Sequence, residues 1–458
     1  MAEQTTAAKR QNLPVNLPSC PIGDSSDQPP PGSSVPGAPG RAGHFFGWNV
    51  VAAAFMIAVF GWGLGFYGPP VYLEVIHQSR GWPIALVSGA VTLHYLVGLL
   101  AIPNLPALYR RFGIAVVTFA GAVLLASGVL GWSLAITPWQ LYLAALLSGS
   151  GWSALGAVAI NTIVSPWFVT RRSQALGIAF NGGSVGGVIF SPLWIALIDR
   201  IGFTSASLVM SGVMLTTLGV LAVLVLQRNP EIADQTADVA SADNLSLSAL
   251  QGVEATSPRT QPHLFHSRAF LTLCIGMTLA LFAQTGVVAH LVSVLAPALG
   301  RQGAGWTAGA VGVTAVVGRV LVGSRADDRS NWRGIACLSL MAQILGCAVL
   351  VFVQGNHPVL LVFGAVLFGL GVGNAISVPP VIANLEFSSA DAGRAVALIV
   401  AISQGAYAIA PVLFGLLRQT LSDQTMFATA IMIQLAAIAA YLLGPRVRLL
   451  ERLGRKLD

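Results

Sequence analysis

The chain has 458 residues, of which 55% are hydrophobic and only 9% are charged, and its mean hydropathy is +0.75. Soluble domains carry about 25% charged residues, so this composition excludes an ordinary soluble enzyme. High hydrophobicity with little charge also excludes a chain that is disordered over most of its length.

The first 45 residues are polar and rich in Pro, Gly and Ser, as in QPPPGSSVPGAPG at 28–40. They contain no apolar stretch long enough for the core of a signal peptide. This composition predicts a disordered, uncleaved N-terminal tail over 1–45.

From Gly47 onward, long apolar runs are separated by short polar breaks. The runs are continuous and far exceed the roughly 10 residues of a barrel strand, so they predict helices. A spanning helix needs about 20 mostly apolar residues. Twelve segments approach this length: 48–73, 84–107, 113–134, 139–164, 173–198, 204–226, 268–296, 305–324, 334–354, 358–382, 393–417 and 424–444.

A polar, acidic break at 227–267 divides the predicted spans into two sets of six. We expect a central cytoplasmic loop there, between an N-terminal six-helix bundle at 46–226 and a C-terminal six-helix bundle at 268–445. Residues 446–458 then form a basic cytoplasmic tail. The predicted fold class is an all-α membrane protein with twelve transmembrane helices in two pseudo-symmetric six-helix bundles.

The basic residues predict the orientation, because cytoplasmic loops are enriched in Lys and Arg. With both termini inside, 19 of the 24 basic residues lie in cytoplasmic segments. The outer segments carry only Arg80, Arg200, Arg301 and Arg418, and Arg319 alone lies within a span. This pattern predicts a multi-pass protein of the plasma membrane, which is the inner membrane in a bacterium. It also explains the net charge of +7 without a nucleic-acid partner.

The two sets of spans repeat one sequence pattern. RSQALGIA at 172–179 matches RAVALIVA at 394–401, and Pro192 and Pro411 follow near the ends of the same spans. Parallel six-helix repeats are typical of secondary transporters that bind substrate between their halves near the midplane. The sequence contains no GxxxxGK[ST] loop, no HExxH and no CxxC pair, so it predicts no ATP-driven motor, no enzyme, no metal and no cofactor.

Two motifs carry a resemblance to a known family. WFVTRRSQALGIAFNGGSVGG at 167–187 combines an aromatic-Phe pair, a basic pair and spaced small residues, and GRVLVGSRADDR at 318–329 ends the eighth span. With these motifs the chain resembles the major facilitator superfamily, and within it the monocarboxylate-transporter and oxalate/formate-antiporter branch. Asn181 departs from the small residue that is usual in the first motif, and LPALYRRFG at 105–113 lacks the usual acidic residue.

Arg319 is the leading candidate for substrate binding, because an arginine within a span normally faces the bundle interior and has a partner. Its planar guanidinium suits a carboxylate, and the resemblance implies that the eighth-helix arginine clamps the substrate carboxylate. The alternative is a side chain that extends to the cytoplasmic interface, since Arg325 lies about 9 Å away at the helical rise.

Acidic residues are scarce around this arginine. Ala315 stands where the animal-type members of the family have an aspartate, one turn earlier. The carboxylates nearest the spans are predicted at helix ends, outer for Glu74 and Asp199 and inner for Asp327, Asp328, Glu386 and Asp391. We therefore do not expect proton coupling through a buried carboxylate, and an unpaired Arg319 favours anion exchange, in which the substrate neutralises the charge.

Other polar side chains in the spans are candidates for the site. His94 and His290 are candidate proton relays, with interior hydrogen bonding as the alternative. Tyr67 could line the cavity, although interface anchoring is usual for such aromatics. Five amides could orient a ligand, or could instead bond neighbouring helices: Asn161, Asn181, Gln284, Asn374 and Gln404.

Charged residues at the predicted cytoplasmic helix ends could brace an inner gate through ion pairs. Simple enrichment of basic residues on the inner side is the alternative for each arginine. The candidate gate residues are Arg110, Arg111, Arg171, Arg172, Arg325, Asp327, Asp328 and Arg329.

The sequence therefore predicts secondary active transport of a small organic anion, preferably a monocarboxylate, by alternating access. We expect a small-molecule substrate, a coupling ion or counter-substrate, a surrounding lipid bilayer, no nucleic-acid partner and a monomeric protein. A drug or metabolite exporter and an uptake transporter for a larger ring compound such as a vitamin are alternatives of the same fold. A transporter-like sensor without flux is a third.

Overall fold

The computed structural model describes residues 46–168, 171–228, 263–326, 330–353 and 357–445, and every regular element in these ranges is helical. The predicted tails, most of the central loop, and Asp327, Asp328 and Arg329 of the predicted gate lie outside the described residues.

The helices follow the apolar runs of the sequence. The first half contains α1 (Gly47–Gly65), α2 (Gly68–Arg80), α3 (Ile84–Ala101), α4 (Leu105–Phe112), α5 (Ile114–Leu134), α6 (Pro138–Ser153), α7 (Ala157–Val164), α8 (Arg172–Ile201) and α9 (Phe203–Leu221). The second half contains α10 (His263–His266), α11 (Arg268–Arg325), α12 (Trp332–Phe352), α13 (Pro358–Glu386), α14 (Ser389–Thr420) and α15 (Asp423–Leu442).

The described part of the chain contains 11 helical segments that are long and apolar enough to cross a membrane. One of them, α11, has 58 residues, about twice what a bilayer needs. Gly300 interrupts it with φ 70° and ψ 162°, a conformation that glycine adopts most readily. With α11 counted as two spans joined at Gly300, the number of spans is the predicted twelve. The all-α membrane fold is confirmed, whereas the division into two bundles at the central loop stays a prediction.

Helix packing creates a central region between the two sets of spans. Within the first set, α1 packs against α8; within the second, α13 packs against α11 and α12. Across the sets, α2 and α8 pack against α11, and α3 packs against α14. The close approach of α1 and α8 requires a glycine, because a Cβ at Gly182 would lie 2.2 Å from the Phe55 carbonyl oxygen. The glycine-rich run of α8 therefore serves helix packing.

Candidate functional site

Arg319 lies on the second part of α11 and is half-buried. Its Nε is buried and has no hydrogen-bond partner among the described residues. The ion pairs in the described part of the chain join other residues, namely Arg301 with Asp199, Arg333 with Glu386, and Arg418 with Asp423. The phenol of Tyr67, in the first half, is close enough to interact electrostatically with the Arg319 guanidinium. Arg319 therefore faces the interior between the two halves with its charge uncompensated by a carboxylate in the described residues.

A cavity lies between the halves, two helical turns from Arg319 along α11. In this conformation it is nearly closed, with a volume of about 30 Å³, which is about the space of one water molecule. Tyr67, Ser191 and Gln284 contribute the polar side chains of its wall. The remaining wall is apolar and consists of Phe66, Pro70, Val288, Leu291, Val292, Ala308, Val311, Gly312 and Val372. Residues 312 and 319 are seven apart, so they lie on similar faces of α11 about 10 Å from each other.

Two of the predicted amides are buried near this cavity. Gln284 accepts a hydrogen bond from the Gln343 amide at 3.4 Å, and Gln343 accepts one from Gln434 at 3.0 Å. Asn374 donates to the Ser339 hydroxyl at 3.1 Å and to the carbonyl of Gly318, the neighbour of Arg319, at 3.4 Å. Its Oδ1 has no partner among the described residues. Gln284 is thus fixed in the cavity wall, and Asn374 lies beside the turn of α11 that carries Arg319.

The other three amides do not line the cavity. Asn161 and Asn181 are exposed, and Asn161 accepts a hydrogen bond from the Ser165 hydroxyl at 3.0 Å. Gln404 is half-buried on α14. Of the predicted substrate-binding residues, Tyr67 and Gln284 line the cavity. Arg319 interacts with Tyr67, and Asn374 bonds the backbone beside Arg319, whereas Asn161, Asn181 and Gln404 have no such contact among the described residues.

Both histidines are completely buried and hydrogen-bonded. His94 Nδ1 lies 2.8 Å from the Ser148 hydroxyl, and its Nε2 lies 2.8 Å from the Gly65 carbonyl oxygen. His290 Nε2 lies 2.9 Å from the Pro411 carbonyl oxygen. These contacts join different helices, which favours a bracing role for each histidine. Proton relay by either residue stays a prediction.

The described members of the predicted inner gate lie at the surface. Arg110, Arg111, Arg171, Arg172 and Arg325 are all exposed. The guanidinium of Arg111 lies over the Phe112 ring at 5.2 Å. Because Asp327, Asp328 and Arg329 lie outside the described residues, the gate contacts stay a prediction.

An aromatic cluster that was not predicted from the sequence adjoins Tyr67. Phe66 packs against Tyr67 and Tyr95 with ring centroids 5.1 and 5.7 Å apart, and Tyr95 lies 6.3 Å from Tyr407 of the second half. Trp152 contacts Phe66 and Tyr95, and its buried Nε1 has no partner among the described residues. Tyr95 and Tyr407 could have been identified from the sequence, because they lie in the middle of predicted spans, far from the interfaces where such residues usually lie.

Glu74 also differs from expectation. It lies near the predicted outer end of the first span, yet it is only 4% exposed. The Gln78 amide, one turn later on α2, donates a hydrogen bond to its carboxyl group. Although Glu74 lies near the end of a predicted span, it is shielded from water because α11 packs against α2.

Comparison with known proteins agrees with this architecture. The family model of the Major Facilitator Superfamily matches residues 51–352. Human monocarboxylate transporter 11 is 28% identical over 415 residues, which cover 87% of this chain and 76% of that protein. The mouse protein of the same name is 32% identical, but over only 37% of this chain and 38% of its own length. An MFS-type transporter of Ophiocordyceps sp. (strain BCC 1869) is 25% identical over 74% of this chain and 71% of its own.

Solved structures share the fold at low sequence identity. A nucleoside transporter superposes with a TM-score of 0.66 at 14% identity, covering 87% of this chain and 98% of that chain. A bacterial homologue of the human lysosomal transporter Spinster, inward-facing and unoccupied, superposes with a TM-score of 0.63 at 14% identity, covering 87% and 96%. At these identities the likeness concerns the fold alone. The family match and the curated relatives lead to one conclusion: the chain belongs to the Major Facilitator Superfamily, on a branch that is similar to the monocarboxylate transporters.

Proposed function

We propose that this transporter moves a small organic anion, preferably a monocarboxylate, across the membrane by alternating access. The observation that carries the proposal is Arg319, a half-buried arginine whose Nε has no partner among the described residues. An ionisable side chain inside a span normally pairs with an opposite charge or a backbone carbonyl. A substrate carboxylate is a partner that matches the planar guanidinium.

The neighbouring cavity supports a substrate with one charged end and an apolar body. Aliphatic side chains and Phe66 form most of the wall, and Tyr67, Ser191 and Gln284 supply its hydrogen-bonding groups. Of these, Tyr67 is also within electrostatic range of Arg319. Few polar groups in an apolar cavity are typical of small-molecule sites. Human monocarboxylate transporter 11, which is 28% identical, is named for this class of solute.

Contacts between the halves support alternating access. At the predicted outer end, Arg301 pairs with Asp199 at 3.0 Å, and the Gln419 side chain accepts a hydrogen bond from the Ala85 amide at 3.1 Å. Gly415 packs so closely on Ser88 that a Cβ would lie 2.5 Å from its hydroxyl. In the proposed cycle these contacts separate when substrate enters from outside. On the distribution of basic residues, we place both termini in the cytoplasm and the protein in the plasma membrane.

Uptake by reconstituted protein tests the proposal. Liposomes preloaded with one unlabelled anion are assayed for exchange of labelled acetate, L-lactate, pyruvate or benzoate. We expect Arg319→Ala and Arg319→Lys to abolish exchange, and Arg200→Ala, which changes an exposed arginine at the end of α8, to retain it. Normal exchange by Arg319→Ala would refute the clamp, and no exchange of any of the four anions by the wild type would refute the monocarboxylate class.

An exporter of apolar organic compounds is the second candidate, favoured by the mainly apolar cavity wall. The same variant separates the two functions. Efflux of a lipophilic dye such as rhodamine 6G by the wild type, retained in Arg319→Ala, would identify the exporter.

A further inference from the structure

Glu74 is a buried carboxyl group that the proposed substrate site does not use. It lies one helical turn beyond Pro70, which lines the cavity, and is 4% exposed. The Gln78 amide donates a hydrogen bond to it, and it has no salt bridge within the described residues. Ionisable residues inside membrane spans are rare and usually functional.

Three basic groups lie within electrostatic range of Glu74, one on its own helix and two in the opposite half. Arg301 of α11 and Arg418 of α14 are within electrostatic range of its carboxyl group, as is His77 on its own helix. Each arginine already has a closer carboxylate, since Arg301 pairs with Asp199 at 3.0 Å and Arg418 with Asp423 at 2.6 Å.

The other ionisable groups on the helices that pack around α2 are accounted for. His290 of α11 contacts Pro411 and Arg418, His94 of α3 bonds Ser148 and Gly65, and Asp199 and Arg200 of α8 are exposed. His77 Nδ1 lies 2.7 Å from the Trp82 carbonyl oxygen. The helices α1 and α5 contain no Asp, Glu, Lys, Arg or His. Arg319 of α11, which has no carboxylate partner among the described residues, is not among the groups within electrostatic range of Glu74. The two arginines within range, Arg301 and Arg418, are each paired with a closer carboxylate.

Because Glu74 is buried without a paired cation, its protonation state depends on whether the contacts at the predicted outer end are closed. A carboxylate ion in an apolar site is costly unless it is paired, whereas the neutral acid is tolerated. If the contacts at the predicted outer end separate, water reaches the group and the ion becomes acceptable. When the Glu74 carboxylate binds a proton from water, one O–H bond forms and the negative charge is lost. No other reactant is needed.

We propose that Glu74 is the proton-binding residue of the predicted outer gate, taking up a proton as the gate closes and releasing it as the gate opens. The gate comprises the Asp199–Arg301 pair and the contacts of Ser88 with Gly415 and of Ala85 with Gln419. The inference rests on the alternating-access part of the proposed function. Low pH then holds the gate closed, and high pH favours its opening.

A distance measurement without substrate tests this gate. Ile136 and Leu421 are 71% and 64% exposed on loops of the predicted outer end, one in each half. The four native cysteines are replaced by serine, and spin labels are attached to Ile136→Cys and Leu421→Cys. Double electron–electron resonance in lipid nanodiscs then measures the distance between the two labels. We expect the long-distance population to grow as the pH rises from about 5 to about 9, the range over which buried carboxyl groups titrate.

Variants assign the effect to one side chain. Glu74→Gln keeps an acceptor for Gln78 and should hold the short distance at every pH, whereas Glu74→Asp should retain the shift. His77→Gln removes the neighbouring titratable group on α2 and should also retain it. A shift of wild-type size in Glu74→Gln, or no shift in the wild type, would overturn the inference. Because no substrate is present, either result leaves the Arg319 exchange test unaffected, and a failed exchange test leaves this measurement valid.

Discussion

Two arginines of the second half occupy opposite environments. The Arg333 side chain is 9% exposed and donates to both oxygens of Glu386, at 2.6 and 2.8 Å, and to the carbonyls of Tyr441 and Ala269. Arg319 is half-buried and has an Nε without a partner among the described residues. Arg333 therefore joins α12 to α11, α13 and α15, whereas Arg319 remains available to a ligand. The number of satisfied donors, more than burial alone, separates a structural arginine from a candidate binding residue.

Removing the partner of Arg333 should give the largest loss of stability. Glu386→Gln leaves a buried guanidinium without its countercharge, and breaking such a pair costs about 3–5 kcal/mol. Denaturant titration in detergent micelles measures the change. The control is Asp199→Asn, which breaks the pair with Arg301, whose two side chains are both about one third exposed, at 38% and 34%. Equal losses in both variants would contradict the distinction between buried and half-exposed pairs.

The buried amide chain should contribute less. Gln343→Leu leaves Gln284 and Gln434 without the hydrogen bonds that Gln343 makes to them at 3.4 and 3.0 Å. Interhelical hydrogen bonds in membranes contribute about 0.6 kcal/mol on average, and at most about 1.7 kcal/mol, so we expect a loss in that range by the same titration. Gln404→Leu is the matched control, because the half-buried Gln404 has no hydrogen bond among the described residues. A larger loss in the control would contradict this assignment.

The helical spans were predictable because a single apolar run of sufficient length specifies each of them. The break between the seventh and eighth spans was also readable, since the predicted ends at 296 and 305 bracket Gly300. Long-range pairing was not readable. Arg333 and Glu386 are 53 positions apart, and each alone looked like a charge at an inner helix end.

The site was only partly predictable for a related reason. Spans that are apolar on every side give no periodicity from which to infer which face is turned inward. Arg319, Tyr67 and Gln284 were identified by residue type. Tyr67 and Gln284 do line one cavity, and Tyr67 interacts with Arg319, but the same criterion also selected Asn161 and Asn181, which are exposed. Glu74 was expected at an outer helix end, and its burial could not be predicted because only packing against other helices buries it.

The Asp199–Arg301 pair extends the comparison to partly exposed charges. Its side chains are 38% and 34% exposed, and exposed ion pairs contribute roughly 0.2–1 kcal/mol, less at high salt. We expect Asp199→Asn to lower the unfolding free energy by that amount at low ionic strength and by less in 1 M salt. A loss independent of salt would show that the pair acts as a buried one.

Arg319 itself should show the smallest effect on stability and the largest on transport. Arg319→Met removes a charge that no carboxylate in the described residues compensates and keeps an apolar side chain in its place. We expect its unfolding free energy to remain within about 0.5 kcal/mol of the wild type, as for substitutions outside packed or paired environments, or to rise, while exchange of the labelled anions is lost. A loss of several kcal/mol, like that expected for Glu386→Gln, would place Arg319 among the structural arginines. Unchanged stability with lost exchange would separate it from Arg333, because the partner that satisfies its charge is then the transported anion.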